Sequence, residues 1–259
     1  MRKNLSVLFF LFCLVMFFPL TTEVSANDGN TVDDIYQKSI RLGLLNIDNN
    51  TVTFNGQLED LTTNPDLQIE FQNKLDAINF LLEKDLATID NNFKVTLPTP
   101  SEVAEIVYNS DNTSENNTYS FSPFAMQPTI ILFDLVSRNR AEIENIFYTT
   151  LRVNPSGAHG FTTGYFVGKV QPGGAWDYKI QPGFQPWYKE FVAYTYSGRK
   201  IVTSEYIGNY NYGYVGQFLF SKTTLLMGGG VVGSGVGSPE DAKDKMAITN
   251  GFDDAVRNE

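Results

Sequence analysis

Hydrophobic and polar positions in the first half of the chain follow a helical period. From Asn64 to Ile89 the apolar side chains recur every three or four residues, the spacing of one face of an amphipathic helix. Asn64 as a cap and Pro65 at the first helical position mark its start. Weaker patterns of the same kind predict helices over Val32–Leu45, Ser101–Tyr108 and Pro128–Leu151.

The pattern changes after Gly157 to short aromatic and β-branched segments separated by Gly and Pro, which predicts strands. These segments are "FTTGYFVGKV", "WDYKI", "WYKEFVAYTY" and "RKIVTSEYI". Ser238 and Pro239 then predict the start of a last helix, which Gly251 would interrupt or end. The expected fold class is α+β: a helical, acidic N-terminal region, then a compact glycine-rich antiparallel-sheet module with a C-terminal helix.

The ends of the predicted domains follow from composition. The first 26 residues have the pattern of a secretory signal peptide. A positive start at Arg2 and Lys3 is followed by the apolar run Val7–Phe18 and by "VSA", residues 24–26, with small residues at the −3 and −1 positions of a cleavage site. The run is short for a membrane span, so we expect a secreted protein without a stable membrane anchor. The polar stretch "NSDNTSENNTYS", residues 109–120, is the predicted linker between a helical region, 27–108, and a second domain, 121–259.

Charge and cysteine content restrict the chemistry. The 259 residues carry a formal net charge of −10. Residues 27–156 hold 19 acidic and 8 basic side chains, whereas 157–259 hold nine of each. Bulk charge would not hold so acidic a chain on nucleic acid, so a polyanionic substrate would need a local site. The one cysteine, Cys13, lies in the predicted signal peptide, which leaves the mature chain no thiol chemistry.

The first candidate site is "GGAWDYK", residues 173–179. If it is a strand, alternation places Trp176 and Tyr178 on one face and Asp177 and Lys179 on the other. An acid and a base would then share a face beside glycines that let a ligand approach. The same pattern is typical of a solvent-facing ion pair worth under about 1 kcal/mol.

The second candidate is "GNYNYGYVG", residues 208–216. It could be a glycine-framed turn whose aromatic rings stack on a sugar or a base while Asn209 and Asn211 read polar edges. It could equally be a tyrosine-rich hairpin packed on a sheet.

The third candidate is "SPEDAKDKM", in which Asp241 and Asp244 are spaced i, i+3 on the predicted helix and face one way. They could present carboxylates to a substrate or to a divalent metal. The alternative is a solvated helix start with one surface ion pair.

In this order and spacing the three motifs resemble the bacterial polymorphic toxin type 44 domain, over about residues 128–252. The matching residues are Gly173, Gly174, Trp176, Asp177, Tyr178, Lys179, Gly208, Asn209, Tyr212, Gly213, Gly216, Asp241, Asp244, Ile248 and Gly251. The chain departs from the family pattern at Ala175, where proline is usual, and in Glu240–Asp241, which follow Pro239 instead of preceding it.

The resemblance implies a secreted toxin that acts on rival cells, has a cognate immunity protein as a partner, and cleaves RNA by acid/base chemistry without a cofactor. Asp177 would act as base or orienter and Lys179 would stabilise the phosphate. Asn209 and Tyr212 would bind the scissile region, and Asp244 would orient a partner or serve as a second acid/base. The expected substrate-binding residues are Trp176, Tyr178, Gly213 and Asp241.

Two alternatives remain open at this point. The same motif could form a hydrolase of cell-wall material or its lipid-linked precursor, with Asp177, Asp241 and Asp244 as acid/base or metal-binding groups. The chain could also be a non-catalytic exported protein whose tyrosines recognise glycan.

Overall fold

A computed structural model describes residues 31–113, 127–232 and 239–258 of the chain, which has an α+β fold. The first elements are α1 (Val32–Arg41), β1 (Leu45–Asp48), β2 (Thr51–Phe54), α2 (Leu58–Leu61), α3 (Pro65–Glu83), β3 (Thr88–Ile89), β4 (Val95–Thr96) and α4 (Pro100–Thr113). The later elements are β5 (Thr129–Ile131), α5 (Leu132–Val153), α6 (Ala158–Val170), β6 (Glu190–Thr195), β7 (Gly198–Thr203), α7 (Ser204–Gly216), α8 (Lys222–Val232) and α9 (Pro239–Arg257).

The described residues 31–103 and 146–162 form one compact unit, the N-terminal unit. Its centre is α3, whose predicted start is confirmed because the Asn64 side chain accepts a hydrogen bond from the N–H of Asp66 at 3.0 Å. Phe71 on the buried face of this helix packs edge-on against Phe54 of the β1–β2 hairpin, with ring centroids 5.2 Å apart. The apolar stripe seen in the sequence is therefore the core of this unit.

Helix α1 is shorter than its pattern predicted. It ends at Arg41, and Leu45 begins strand β1. Gly43 has φ +66°, a left-handed conformation that glycine adopts without steric cost and that ends a helix.

The described residues 104–113, 127–145, 163–232 and 239–258 form the second unit, the C-terminal unit. Its sheet has the order β5-β6-β7, with β5 parallel to β6 and β6 antiparallel to β7. The inner face of β6, with Phe191 and Ala193, packs into a core that also holds Phe166 of α6 and Tyr210 of α7. This core supports the predicted motif residues.

The prediction of a strand at "FTTGYFVGKV" is wrong, because these residues lie in α6. Local β propensity loses here to tertiary packing, which buries Phe166 completely. A Cβ on Gly168 would lie 2.7 Å from the carbonyl oxygen of Ala104, so this glycine lets α6 approach α4 closely.

The predicted domain boundary differs from the observed division. Residues 109–113 of the predicted linker belong to α4, and residues 146–162 fold with the N-terminal unit. Residues 114–120 of that linker and the predicted signal peptide, 1–26, lie outside the described residues. Among the helices that the structure describes, none combines the length and the apolar character needed to cross a bilayer.

Candidate functional site

The segment 173–179 consists of consecutive turns, so the prediction of a strand there is wrong. Gly173 has φ +90°, and its N–H donates to a carboxylate oxygen of Asp177 at 3.0 Å. The N–H of Trp176 donates to the carbonyl oxygen of Lys169 at 2.8 Å. These bonds satisfy the backbone locally and remove it from any sheet, which the propensity of the apolar residues could not indicate.

The division of the side chains survives this change of conformation. Trp176 and Tyr178 are buried in the core of the C-terminal unit, whereas Asp177 and Lys179 are half-buried. The second carboxylate oxygen of Asp177 and the ammonium of Lys179 make no hydrogen bond or ion pair with any residue that the structure describes. An acid and a base that are both accessible to solvent therefore flank a buried tyrosine.

The segment 208–216 is neither a turn nor a hairpin, because it lies within α7. Thr203 caps this helix by accepting a hydrogen bond from the N–H of Tyr206 at 3.2 Å. The rings of Tyr206, Tyr210 and Tyr214 stack in succession, with centroids 5.9 and 6.3 Å apart. Tyr210 is fully buried and Tyr214 nearly so, and the stack continues from Tyr214 to the exposed ring of Tyr196, with centroids 5.7 Å apart.

Buried hydrogen bonds hold this stack in place. Tyr210 donates its hydroxyl proton to the buried carboxylate of Asp254 at 2.7 Å, and Ser197 donates to the same group at 3.0 Å. Burial raises the pKa of Tyr210, so its hydroxyl remains a donor at neutral pH. The segment's tyrosines thus serve mainly in packing.

Asn209 and Asp244, both predicted site residues, are in contact. The side-chain amide of Asn209 donates to a carboxylate oxygen of Asp244 at 2.6 Å, which joins α7 to α9. Tyr212 follows Asn209 by three residues on α7, so the two side chains are neighbours on the helix surface. Its ring packs on Phe166 at 5.5 Å, and burial raises the pKa of Tyr212. Tyr212 therefore offers a protonated hydroxyl.

The GGAWDYK turns lie near α7 without a close backbone approach at Gly208. A Cβ added to Gly208 would lie 3.9 Å from the backbone nitrogen of Tyr178, so a side chain would fit there. Asp177 and Lys179 flank this tyrosine. The structure shows no direct bond between either of them and the Asn209–Asp244 pair.

The third motif is helical as predicted. Pro239 is the first residue of α9, whereas Ser238 and the side chain of Asp241 lie outside the described residues. Within the described part of the chain, no group of three or more His, Cys, Asp or Glu residues is placed to hold a metal ion.

Glycines set the distance between α7 and α9. A Cβ on Gly213 would lie 2.1 Å from the carbonyl oxygen of Ile248, and a Cβ on Gly251 would lie 2.1 Å from that of Tyr210. Helix α9 continues past Gly251 to Arg257, so the prediction that Gly251 interrupts or ends the helix is wrong. Gly251 instead permits the close approach of the two helices. Gly213, predicted to bind substrate, makes a helix–helix contact.

We expect Gly251→Ala to lower the free energy of unfolding by about 3 kcal/mol, because the added methyl group meets rigid backbone. Urea denaturation followed by tryptophan fluorescence measures this loss. Gly208→Ala is the matched control, since only open space and one atom at 3.9 Å surround it, and it should stabilise α7 by roughly 0.5–1 kcal/mol. Equal effects at the two positions would contradict the close packing of α7 and α9.

A buried ion cluster behind the GGAWDYK turns was not anticipated from the sequence. Lys169 on α6 is buried, and its ammonium pairs with Asp111 at 2.9 Å and with Glu142 at 3.0 Å. Tyr165 donates its hydroxyl proton to Glu142 at 2.6 Å, and the ammonium lies 5.8 Å from the ring of Trp176. A lysine inside the apolar run "GYFVGKV" was the available signal.

The backbone of Lys169 holds the turns that follow α6. Its carbonyl oxygen accepts from Trp176, and a Cβ on Gly174 would lie 2.5 Å from the same oxygen. One carboxylate oxygen of Asp111 is buried without a hydrogen-bond partner among the residues that the structure describes, and burial raises the pKa of Asp111. Lys169 therefore holds the segment that carries Asp177 and Lys179.

A half-buried amide, Asn139, and a fully buried one, Asn211, form a network with Tyr178 that was also not anticipated. Asn139 on α5 donates to the hydroxyl oxygen of Tyr178 at 2.9 Å and to the amide oxygen of Asn211 at 2.8 Å. Asn211 is fully buried in α7. This network links the turns, α5 and α7 within one unit.

The arrangement has the parts required for acid/base catalysis. Asp177 offers a carboxylate oxygen, Lys179 a cation, and Asn209 fixes the orientation of a second carboxylate, that of Asp244. Comparison of the chain with protein-family models, with curated proteins and with solved structures finds no match.

Proposed function

We propose that this chain is an exported bacterial toxin whose C-terminal unit cleaves RNA. The observation that carries the proposal is the hydrogen bond between Asn209 and Asp244, because it joins two separate motifs of the type 44 resemblance. Asn139 links the remaining motif to α7, because it donates both to the hydroxyl oxygen of Tyr178 and to the amide oxygen of Asn211. A purely structural origin of the motifs would explain Gly213 and Gly251, whereas Asp177 and Lys179 are partly exposed and remain accessible to a substrate.

In the proposed reaction the ribose 2′-hydroxyl attacks the adjacent phosphorus and displaces the 5′-oxygen of the next nucleotide. Asp177 takes the 2′-hydroxyl proton, and Lys179 stabilises the charge that develops on the phosphoryl oxygens. Asn209 orients Asp244. In its carboxylic acid form, Asp244 delivers a proton to the leaving 5′-oxygen. The products are a 2′,3′-cyclic phosphate and a free 5′-hydroxyl.

The local charge balance supports a site for a polyanion in this unit. The described residues of the C-terminal unit hold 13 acidic and 11 basic side chains, whereas those of the N-terminal unit hold 12 acidic and 6 basic ones. An RNA strand therefore meets less repulsion at the C-terminal unit than the net charge of the whole chain suggests.

The test incubates the purified mature chain with total RNA, with the same RNA methylated at its 2′-hydroxyls, with murein, and with lipid-linked precursor. We expect cleavage of RNA alone, with cyclic phosphate ends, because the methylated strand lacks the attacking hydroxyl. Release of murein fragments or hydrolysis of the lipid precursor with intact RNA would contradict the proposal and favour a cell-wall hydrolase. Binding to murein without cleavage would favour a glycan-binding protein.

A further inference from the structure

The N-terminal unit contains a cleft of about 380 Å³, within the size range of small-molecule sites. Ile78, Phe93 and Val95 form apolar parts of its lining, and Lys74, Lys94 and Asn92 contribute hydrogen-bond donors. All of these residues belong to the same compact unit. An apolar surface with a few cationic donors suits a ligand that has an apolar body and an anionic end.

Lys74 is the donor that distinguishes this cleft. Its side chain is 8% exposed, and its ammonium donates to the carbonyl oxygen of Arg152 at 3.0 Å and pairs with Asp33 at 2.9 Å. An ammonium group carries three N–H bonds. Its third N–H has no acceptor among the residues that the structure describes, and the side chain lines the cleft.

Asp33 is a weak competitor for this ammonium. Its side chain is 70% exposed, so water screens the ion pair and solvates the carboxylate well. An incoming carboxylate can take the third N–H of Lys74, or it can replace Asp33 without leaving a buried charge unpaired. The cleft therefore accepts an anion without disrupting the core.

The turn that carries Phe93, which forms part of the cleft lining, has an uncommon backbone conformation. Phe93 has φ +60°, in the left-handed region that residues with a Cβ seldom adopt. Tyr36 donates its hydroxyl proton to the carbonyl oxygen of Phe93 at 2.9 Å, and Asp90 accepts from the N–H groups of Asn92 and Lys94. The turn is thereby fixed before a ligand binds, which lowers the entropic cost of binding.

We propose that this cleft binds a small organic carboxylate, with its charged end on Lys74 and its apolar body against Ile78, Phe93 and Val95. Lys74 is the buried cation of the lining, whereas Lys94 is exposed to water, and this favours a monoanion over a phosphate dianion because the apolar lining offers little to balance a second charge. The inference does not depend on the proposed nuclease activity.

Isothermal titration calorimetry of the mature chain with phenylacetate tests the proposal, with phenylacetamide as the uncharged control of the same shape. We expect saturable binding of phenylacetate and none of the amide. Lys74→Met should weaken binding about tenfold or more, because it removes a charge-assisted hydrogen bond. Asp33→Asn should strengthen binding, because it removes the competing carboxylate.

The two substitutions act in opposite directions, which a general loss of structure cannot imitate. Asp33 is exposed, so Asp33→Asn keeps the test valid even if Lys74→Met fails to fold. Equal binding of phenylacetamide, or no change of affinity in Asp33→Asn, would overturn the proposal. The peptide Gly-Gly-Phe and its C-terminal amide identify the source of the carboxylate. Tighter binding of the free peptide than of phenylacetate indicates the C-terminus of a peptide. Tighter binding of phenylacetate indicates a free organic acid.

Discussion

Replacing Asp177 with Asn is expected to lower the rate of RNA cleavage by roughly 10²- to 10⁴-fold, the range found when a general base is removed. The asparagine amide oxygen can still accept the hydrogen bond from the N–H of Gly173, so the turn should keep its conformation. Single-turnover cleavage of a short RNA of defined sequence measures the rate of the chemical step. The loss should appear in that rate and not in the affinity for RNA.

Asp134→Asn is the matched control, because Asp134 is an exposed acid on α5 of the same unit. It should leave cleavage and stability unchanged. A folded Asp177→Asn variant that cleaves RNA at the wild-type rate would show that Asp177 only shapes its turn. In that case Asp244→Asn identifies whether the second carboxylate is the base.

Lys169→Met is expected to lower the free energy of unfolding of the C-terminal unit by about 2–3 kcal/mol. The substitution leaves the carboxylates of Asp111 and Glu142 without a cation, and because their side chains are 22% and 38% exposed, solvent reduces the cost of about 3–5 kcal/mol that a fully buried pair would carry. Both tryptophans of the chain, Trp176 and Trp187, lie in this unit and report its unfolding by urea. Lys243→Met, at an exposed lysine on α9, should have no measurable effect.

The loss should depend on pH in a defined direction. Burial raises the pKa of Asp111 above its ordinary value of 3.8. A raised carboxyl pKa favours the folded state at low pH, and this contribution disappears as pH rises through the folded-state pKa. The cost of Lys169→Met should therefore be largest at neutral pH and shrink as the solution is acidified towards 3.8.

The double variant Lys169→Met, Asp111→Asn separates charge from packing. It should recover part of the lost stability at neutral pH, because it removes one uncompensated carboxylate. A double variant as unstable as Lys169→Met, with no dependence on pH, would show that packing around the lysine stem determines the loss.

The start of α3 could be predicted because its signals, Asn64 and Pro65, are local. Its end could not, because the apolar period continues to Ile89, whereas the helix ends at Glu83 and Thr88–Ile89 form β3. The same reasoning failed for residues 161–170 and 208–216, where aromatic residues and glycines indicated strands and turns. Those glycines make contacts with residues far away in the sequence: Gly168 allows the carbonyl group of Ala104 to approach closely, and Gly213 allows the same for Ile248.

The candidate site was also predicted only in part from local patterns. Alternation in "WDYK" correctly separated buried from half-buried side chains, although the turns around Gly173 replaced the expected strand. The pairing of Asn209 with Asp244 came from a resemblance and not from spacing, since residues so far apart meet only through packing. Lys169, Asp111 and Glu142 lie on three helices, so no local pattern could indicate their cluster.

The two glycine contacts between α7 and α9 also fix the longitudinal register of the helices. Advancing α9 by one residue would shift it by about 1.5 Å and rotate it by about 100°. Either Asn250 or Phe252 would then occupy the place of Gly251 against Tyr210, where no side chain fits. The separation of Asn209 and Asp244 can therefore not be adjusted by gradual sliding. Any change of this pair during evolution has to come from the side chains themselves, with both backbones held in place.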